Sequence, residues 1–438
     1  MNIQAPAGRD EITLRIPDDA EIFLTAYPVT TKPAVKLVLD AVRAPLGTPP
    51  LLSALASRRP GDVVVVVSDF TRPIPYRDFL APLLAEIASS GVPRSKILLL
   101  VATGMHRPSS VEERREMFGE EVVERYRIED HRAEDNLGLA AVAGRSASGA
   151  TIRLNRRFVE AGFRIVTGLV EPHFMAGYSG GRKTVCPGLA SLDTVRNFHG
   201  AKFLADPNAT NAVLAGNPLH EEALSVSRAA GVDFTLNVVL DRTRRLVRAY
   251  AGALEPAHEA ACEFVRACAV WPVRHPADIV LTGCGGYPLD ATFYQCVKGF
   301  VSCLPAVREG GTVIAFGGCA EGVGSREYAG LLKQYAGRFD DFMAEIGRPG
   351  VFTKDQWELQ MQDRALAKVG AKGLHFVSDG LSAEALTGLT LTGHPAEPGK
   401  LGPAVQAVLD EALSRGGRLA VFPEGPYCVP EAAADIIP

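Results

Sequence analysis

Short apolar runs recur along the chain, and several are continuous where a half-exposed strand would alternate. Val63 to Val67 is unbroken valine, and Ile97 to Val101, Arg164 to Val170, Ile279 to Thr282, Thr312 to Phe316 and Arg418 to Phe422 are similar. Runs of this kind belong to parallel strands buried on both faces. Between the first two, Phe79, Leu80, Leu83, Leu84 and Ile87 recur at helical spacing within Tyr76 to Ser90, which predicts a strand, helix, strand unit. A second helix is expected to open at Ser110, because Ser110 and Glu113 have capping-box spacing and Pro108 stops what precedes them. The pattern predicts an α/β protein of two α/β domains, with mainly parallel sheets covered by helices and an active site in the cleft between the domains.

A Pro-bearing joint, Trp271 to Pro276, follows the helical segment Ala257 to Ala269 and precedes a fresh strand. It sets the expected domains at 1–270 and 271–413. Val405 to Leu413 reads as a final helix, and the segment from about 414 to 438 is expected to return to the first domain.

Composition then narrows the function. In a chain of 438 residues a formal net charge of −4 offers no basic surplus for nucleic acid, so a small-molecule partner is expected. No run approaches a membrane span, and the first residues lack the apolar core of a signal peptide, which predicts a cytoplasmic protein without a membrane partner. Eight cysteines without a C-x-x-C pair read as reduced core thiols.

In open parallel sheets, ligands bind beyond the carboxyl ends of the strands. Three successive runs here end in reactive residues: Ser68-Asp69-Phe70-Thr71-Arg72-Pro73, then Thr103-Gly104-Met105-His106-Arg107-Pro108, then Glu171-Pro172-His173-Phe174-Met175. Singly, Asp69 and Thr71 are compatible with a helix cap, Arg72 with a surface charge, and each histidine with a structural role. Together they deliver an arginine and two histidines to one crevice. The third loop continues through Ser179-Gly180-Gly181-Arg182-Lys183-Thr184; Arg182 separates Gly181 from Lys183, so it is not a Walker A loop, yet its amides suit a phosphate and its Lys183 lies near the crevice. His106, His173 and His199 lack local metal spacing. In the second domain Tyr294, Gln295 and Lys298 are spaced to share a helix face after a Gly-rich loop.

Taken together, Ser68 to Pro73, Thr103 to Pro108, Glu171 to Lys183, His199 and Tyr294-Gln295-x-x-Lys298 resemble the nickel-pincer nucleotide-dependent lactate racemase family over nearly the whole chain. The resemblance implies a racemase or epimerase acting at C2 of a 2-hydroxy acid. It makes Lys183 the covalent anchor of a pyridinium-3-thioamide-5-thiocarboxylic acid mononucleotide, and His199 the protein ligand of its nickel. It makes His106 and His173 the acid-base pair, and gives Arg72, Lys298, Gln295, Tyr294 and Trp357 to the substrate. Asp69, Thr71, Ser179, Gly180, Gly181 and Arg182 are then expected around the cofactor, whose maturation proteins become partners.

The chemistry agrees with the resemblance. Removing the C2 proton of a 2-hydroxy acid builds a carbanion beside a carboxylate, whereas hydride removal avoids that charge. No side chain accepts a hydride, so a cofactor must. Imidazoles can exchange the hydroxyl proton near neutral pH, and Arg72 offers a planar fork to a carboxylate. These groups address only the carboxylate, hydroxyl and C2 hydrogen, so lactate, malate and sugar acids such as gluconate stay open. Phe174, Tyr294, Trp357 and the loop from Gly317 to Gly322 are candidates for the distal pocket. Two alternatives remain at this point: a zinc hydrolase or lyase using His106, His173 and His199, and a non-catalytic sugar-acid-binding protein.

Overall fold

The computed structural model describes residues 1–348 and 350–433, which fall into two compact units. One comprises Tyr27–His199 and Asn208–Cys268; the other takes Met1–Ala26, Gly200–Pro207 and the chain from Ala269 onward.

The first unit holds a six-stranded sheet in the order Leu246–Gly252, Phe234–Leu240, Phe163–Leu169, Val63–Ser68, Ile97–Ala102, Arg127–Asp130. Only the pairing of Leu246–Gly252 is antiparallel. The valine run is buried at every position because both faces are covered. On one face Val63, Val65, Val67, Leu99 and Val101 pack against Phe79, Leu80, Leu83 and Leu84 of the helix Tyr76–Ser89. The helix Val111–Phe118 opens with a complete capping box, Ser110 Oγ accepting from the Glu113 amide and Glu113 reaching back to the Ser110 amide.

The second unit holds an all-parallel sheet ordered Thr392–Pro395, Leu374–Ser378, Val307–Phe316, Ala277–Gly283, Leu419–Phe422, Glu21–Ile22. Its core joins Ile279, Leu281, Ile314 and Val421 to Val405 and Leu409 of the helix Leu401–Leu413, and to Ala5, Ala7 and Leu14 of an N-terminal hairpin.

Two domain expectations are corrected. The C-terminal segment as far as residue 433 stays with the second unit, since Leu419–Phe422 is an interior strand there and Val429–Ala432 pairs with Val270–Val273, while 434–438 lie outside the described residues. Residues 1–26, expected in the first domain, also belong to the second unit, where Glu21–Ile22 forms its edge strand. All eight cysteines are free and buried. Among the described residues no helix is long and apolar enough to cross a membrane.

Candidate active site

The reactive loops follow Val63–Ser68, Ile97–Ala102 and Phe163–Leu169, three adjacent parallel strands. The structure therefore brings together what the sequence spreads over more than a hundred residues. Asp69, buried, accepts from Thr71 Oγ1 at 2.7 Å and from His106 Nδ1 at 2.7 Å. Burial alone would raise its pKa, but His106, Arg72 and Thr71 together hold it below the usual carboxylate value. As an ionised acceptor, Asp69 fixes the proton of neutral His106 on Nδ1 and leaves Nε2 as a lone pair. Arg72 Nη1 lies 3.4 Å from Thr71 Oγ1. Thr71 spends its hydroxyl on Asp69 and so supports this dyad in place of the cofactor contact expected of it.

The second cluster centres on Lys183. Its Nζ lies 2.7 Å from His173 Nε2 and 5.7 Å from the centre of the Phe198 ring. His173 Nδ1 in turn accepts the amides of Met175 and Ala176, at 3.2 and 3.3 Å. His199 ends the helix Leu192–Phe198, edge-on to Phe198 at 4.7 Å, and desolvation of its ring pushes its pKa down to about 3.

The Gly-rich loop departs from its expected part. Four of its backbone amides are engaged within the protein: Ser179 N with Glu171 O, Gly181 N with Asn237 Oδ1, Lys183 N with Gly180 O and Thr184 N with Gly181 O. Ser179 Oγ donates to Leu169 O. Arg182 is fully buried and donates to the carbonyls of Ala176, Ser179 and Gly180, with Nη1 2.9 Å from His258 Nε2. Burial pushes that guanidinium down to about 10. Ser179 and Arg182 thus brace the loop from within through the Ser179 hydroxyl and the two Nη groups of Arg182. Gly180 and Gly181 have positive φ, and a Cβ would sit 2.7 Å from Val170 and 2.6 Å from His258 respectively. They are glycine for close packing. The bracing by Asn237 and His258 was not foreseen; the one signal was a polar residue inside the apolar run Phe234–Leu240.

In the other unit Lys298 Nζ donates to Gln295 Oε1, three residues apart on the helix Phe293–Ser302. Tyr294 turns elsewhere: its hydroxyl accepts from Trp357 Nε1 at 2.8 Å and donates to Asp355 Oδ1 at 3.3 Å. Trp357 is buried. Burial pushes the neighbouring Glu358 up to about 8, against the opposing charge of Lys298. Neither Asp355 nor Glu358 was singled out from sequence.

The donors fit the implied group at two points. Lys183 is a half-buried primary amine held by an imidazole, suited to a covalent anchor, and His199 is a desolvated imidazole kept neutral as a metal ligand must be. Of the loop amides expected at its phosphate, those of Ser179, Gly181, Lys183 and Thr184 are taken by protein acceptors. Among the described residues, no three His, Cys, Asp or Glu side chains converge as a metal site, which the zinc alternative requires.

Comparison with known proteins bears on the same residues. The lactate racemase N-terminal domain model matches residues 7–212, and the C-terminal domain model matches 273–425. Lactate racemase from Thermoanaerobacterium thermosaccharolyticum is 33% identical over 431 residues, 97% of this chain and 98% of that one. Lactate racemase from Lactiplantibacillus plantarum is 33% identical over 83% of this chain and 84% of its own. The lactate racemase apoprotein structure from T. thermosaccharolyticum superposes with TM-score 0.87 at 30% identity, covering 98% of this chain and all of that one. A Thermotoga maritima structure with TM-score 0.63, at 19% identity over 87% of this chain and 97% of that one, shares the fold. An α/β protein with these relatives is an isomerase of the racemase class. The chain belongs to the lactate racemase family. That membership displaces the hydrolase and pure-binding alternatives.

Proposed function

We propose that this protein inverts C2 of a 2-hydroxy acid, lactate first among candidates, by removing and returning a hydride. The observation that carries the proposal is a pair of imidazoles beyond the ends of the two parallel strands that flank Val63–Ser68, one braced by a carboxylate and the other beside an anchoring amine.

A nickel-pincer nucleotide bound through Lys183, with His199 on its metal, would supply the electron-poor hydride acceptor that no side chain offers. The rest falls to this chain. Asp69 keeps the His106 Nε2 lone pair directed outward, so His106 can take the hydroxyl proton as C2 gives up its hydride. His173, whose Nδ1 already accepts two amides, is assigned to the hydroxyl oxygen of the other enantiomer as the proton-donating member of the pair. The substrate carboxylate is assigned to Arg72, whose guanidinium offers two parallel N–H donors, and to Lys298 with Gln295. Tyr294 and Trp357, bonded to each other, would serve as a braced aromatic wall.

The test is intact mass and metal content of protein co-expressed with the cofactor-maturation proteins, followed by a screen of 2-hydroxy acids in D₂O. The expected result is an adduct on Lys183, bound nickel, and racemisation with the C2 hydrogen retained. Wash-in of solvent deuterium at C2, or an unmodified Lys183 in active protein, would refute the proposal. Malate and gluconate belong in the screen beside lactate, because the assigned residues do not read the side chain.

A further inference from the structure

We propose that His173 acts before any turnover: in the unloaded protein its Nε2–H donates to Lys183 Nζ, holding that side chain as the free amine that attaches the cofactor. The inference deepens the reading above and rests on it only for the identity of what becomes attached.

A neutral imidazole has one N–H and one lone pair. Two backbone amides, which can only donate, point at Nδ1 of His173. Nδ1 therefore carries the lone pair and the proton sits on Nε2, 2.7 Å from Lys183 Nζ. An ammonium has three donors and no acceptor, so it would oppose that proton donor to donor, whereas an amine accepts it. The reverse arrangement, an ammonium donating to a bare Nε2, would place a proton on Nδ1 against two N–H groups.

The two amides are aimed by their own surroundings. Pro172–His173 pairs with Gly177–Tyr178 in a tight hairpin whose turn is Phe174-Met175-Ala176. Gly177 has φ +77°, and a Cβ there would lie 2.1 Å from Val213 O. The Met175 carbonyl is held by Asn217 Nδ2 at 3.0 Å and the Ala176 carbonyl by Arg182 Nη2 at 2.7 Å. The Met175 carbonyl shares its peptide plane with the Ala176 N–H, so Asn217 fixes the direction of that donor toward the ring.

Attachment needs that amine. Lys183 Nζ uses its lone pair to form a C–N bond to the thiocarboxylic acid carbon of the mononucleotide. The C–O bond breaks, the oxygen leaves as water with one amine proton and the thioacid proton, and the sulfur remains as the thioamide. Nothing is oxidised or reduced. The thioamide nitrogen no longer offers its lone pair to His173 Nε2, which frees that atom for the substrate.

Two measurements on the unloaded full-length protein test this. In protein labelled with ¹⁵N-histidine, two-bond ¹H–¹⁵N correlations at neutral pH should show the His173 proton on Nε2, with His173→Gln identifying the signals. A proton on Nδ1, or on both nitrogens, overturns the proposal. In competitive labelling with trace acetic anhydride at pH 7, read by peptide mass, Lys183 should react faster than exposed Lys36. His173→Ala should slow Lys183 about ten-fold relative to Lys36, the effect of restoring one unit of pKa. His173→Gln, which keeps an N–H donor, should retain more of that reactivity than His173→Ala, while losing racemisation once loaded. An unchanged Lys183 rate in His173→Ala, or an equal loss in both variants, overturns it. These readouts need no cofactor, so if they succeed while matured protein carries no adduct, the functional reading and the attachment fail while the Nε2 tautomer and the unprotonated amine stand.

Discussion

His106 and His173 sit on loops of the same sheet but are wired in opposite senses. His106 gives its Nδ1 proton to Asp69, while His173 takes two amide protons at Nδ1. Only the first arrangement leaves an Nε2 lone pair waiting for a substrate proton. Replacing Asp69 by Asn keeps an acceptor for Nδ1 but removes the charge that stabilises the imidazolium. In loaded enzyme, Asp69→Asn should lower kcat by about 10²–10⁴ with little change in KM, measured by steady-state racemisation. The carboxylate also carries a pH signature. Its folded pKa lies below the ordinary 3.8, so its contribution to stability is full above that value and is lost as pH falls through the lower folded one. The difference in urea midpoint between native protein and Asp69→Asn should therefore hold from neutral pH to about 5 and shrink below 3.8. A gap that widens in acid would contradict the assignment.

At the level of elements, the legible parts were those whose local pattern matched their surroundings. Val63 to Val67 reads as a covered strand because every side chain in it is buried, and Ser110 reads as a cap because its partner is three residues away. The strand Phe234–Leu240 was not picked out, since Thr235 and Asn237 interrupt its apolar run. Both are fully buried; Thr235 Oγ1 donates to Val166 O and Asn237 Oδ1 accepts from the Gly181 amide. Their reason lies in neighbours some 55 to 70 residues away, which periodicity cannot see. The carbonyl partners of Arg182 escape the sequence for the same cause, as a basic residue in a Gly-rich loop looks like an anion ligand until they are known. Asn237→Leu should leave the Gly181 amide buried without an acceptor, costing about 1–3 kcal/mol in urea denaturation and lowering the yield of the Lys183 adduct. Ser110→Ala should cost about 1 kcal/mol and leave racemisation unchanged, separating loss of a cap from loss of the loop.

On the scale of the whole molecule, the α/β class followed from the continuous strands, but the division of the chain did not. The joint near Trp271 marked one passage between units, at Cys268 to Ala269, and nothing local marked those after Ala26, His199 and Pro207. Glu21–Ile22 is only two residues long, and its membership is decided by its pairing with Leu419–Phe422, four hundred residues away. Separating the chain at 268/269 strands residues 1–26 and 200–207 with the wrong fragment and strips the later one of its edge strand. Each piece expressed alone should fail to give a single cooperative melt by circular dichroism, while the two produced together should recover one; independent cooperative melting of either piece would contradict this. A gene of this design is therefore poorly suited to inheritance by halves. One crossover anywhere from Tyr27 to Cys268 trades portions of both units at once, so their sequences are expected to diverge in concert, as a woven cloth must be rethreaded and cannot be patched.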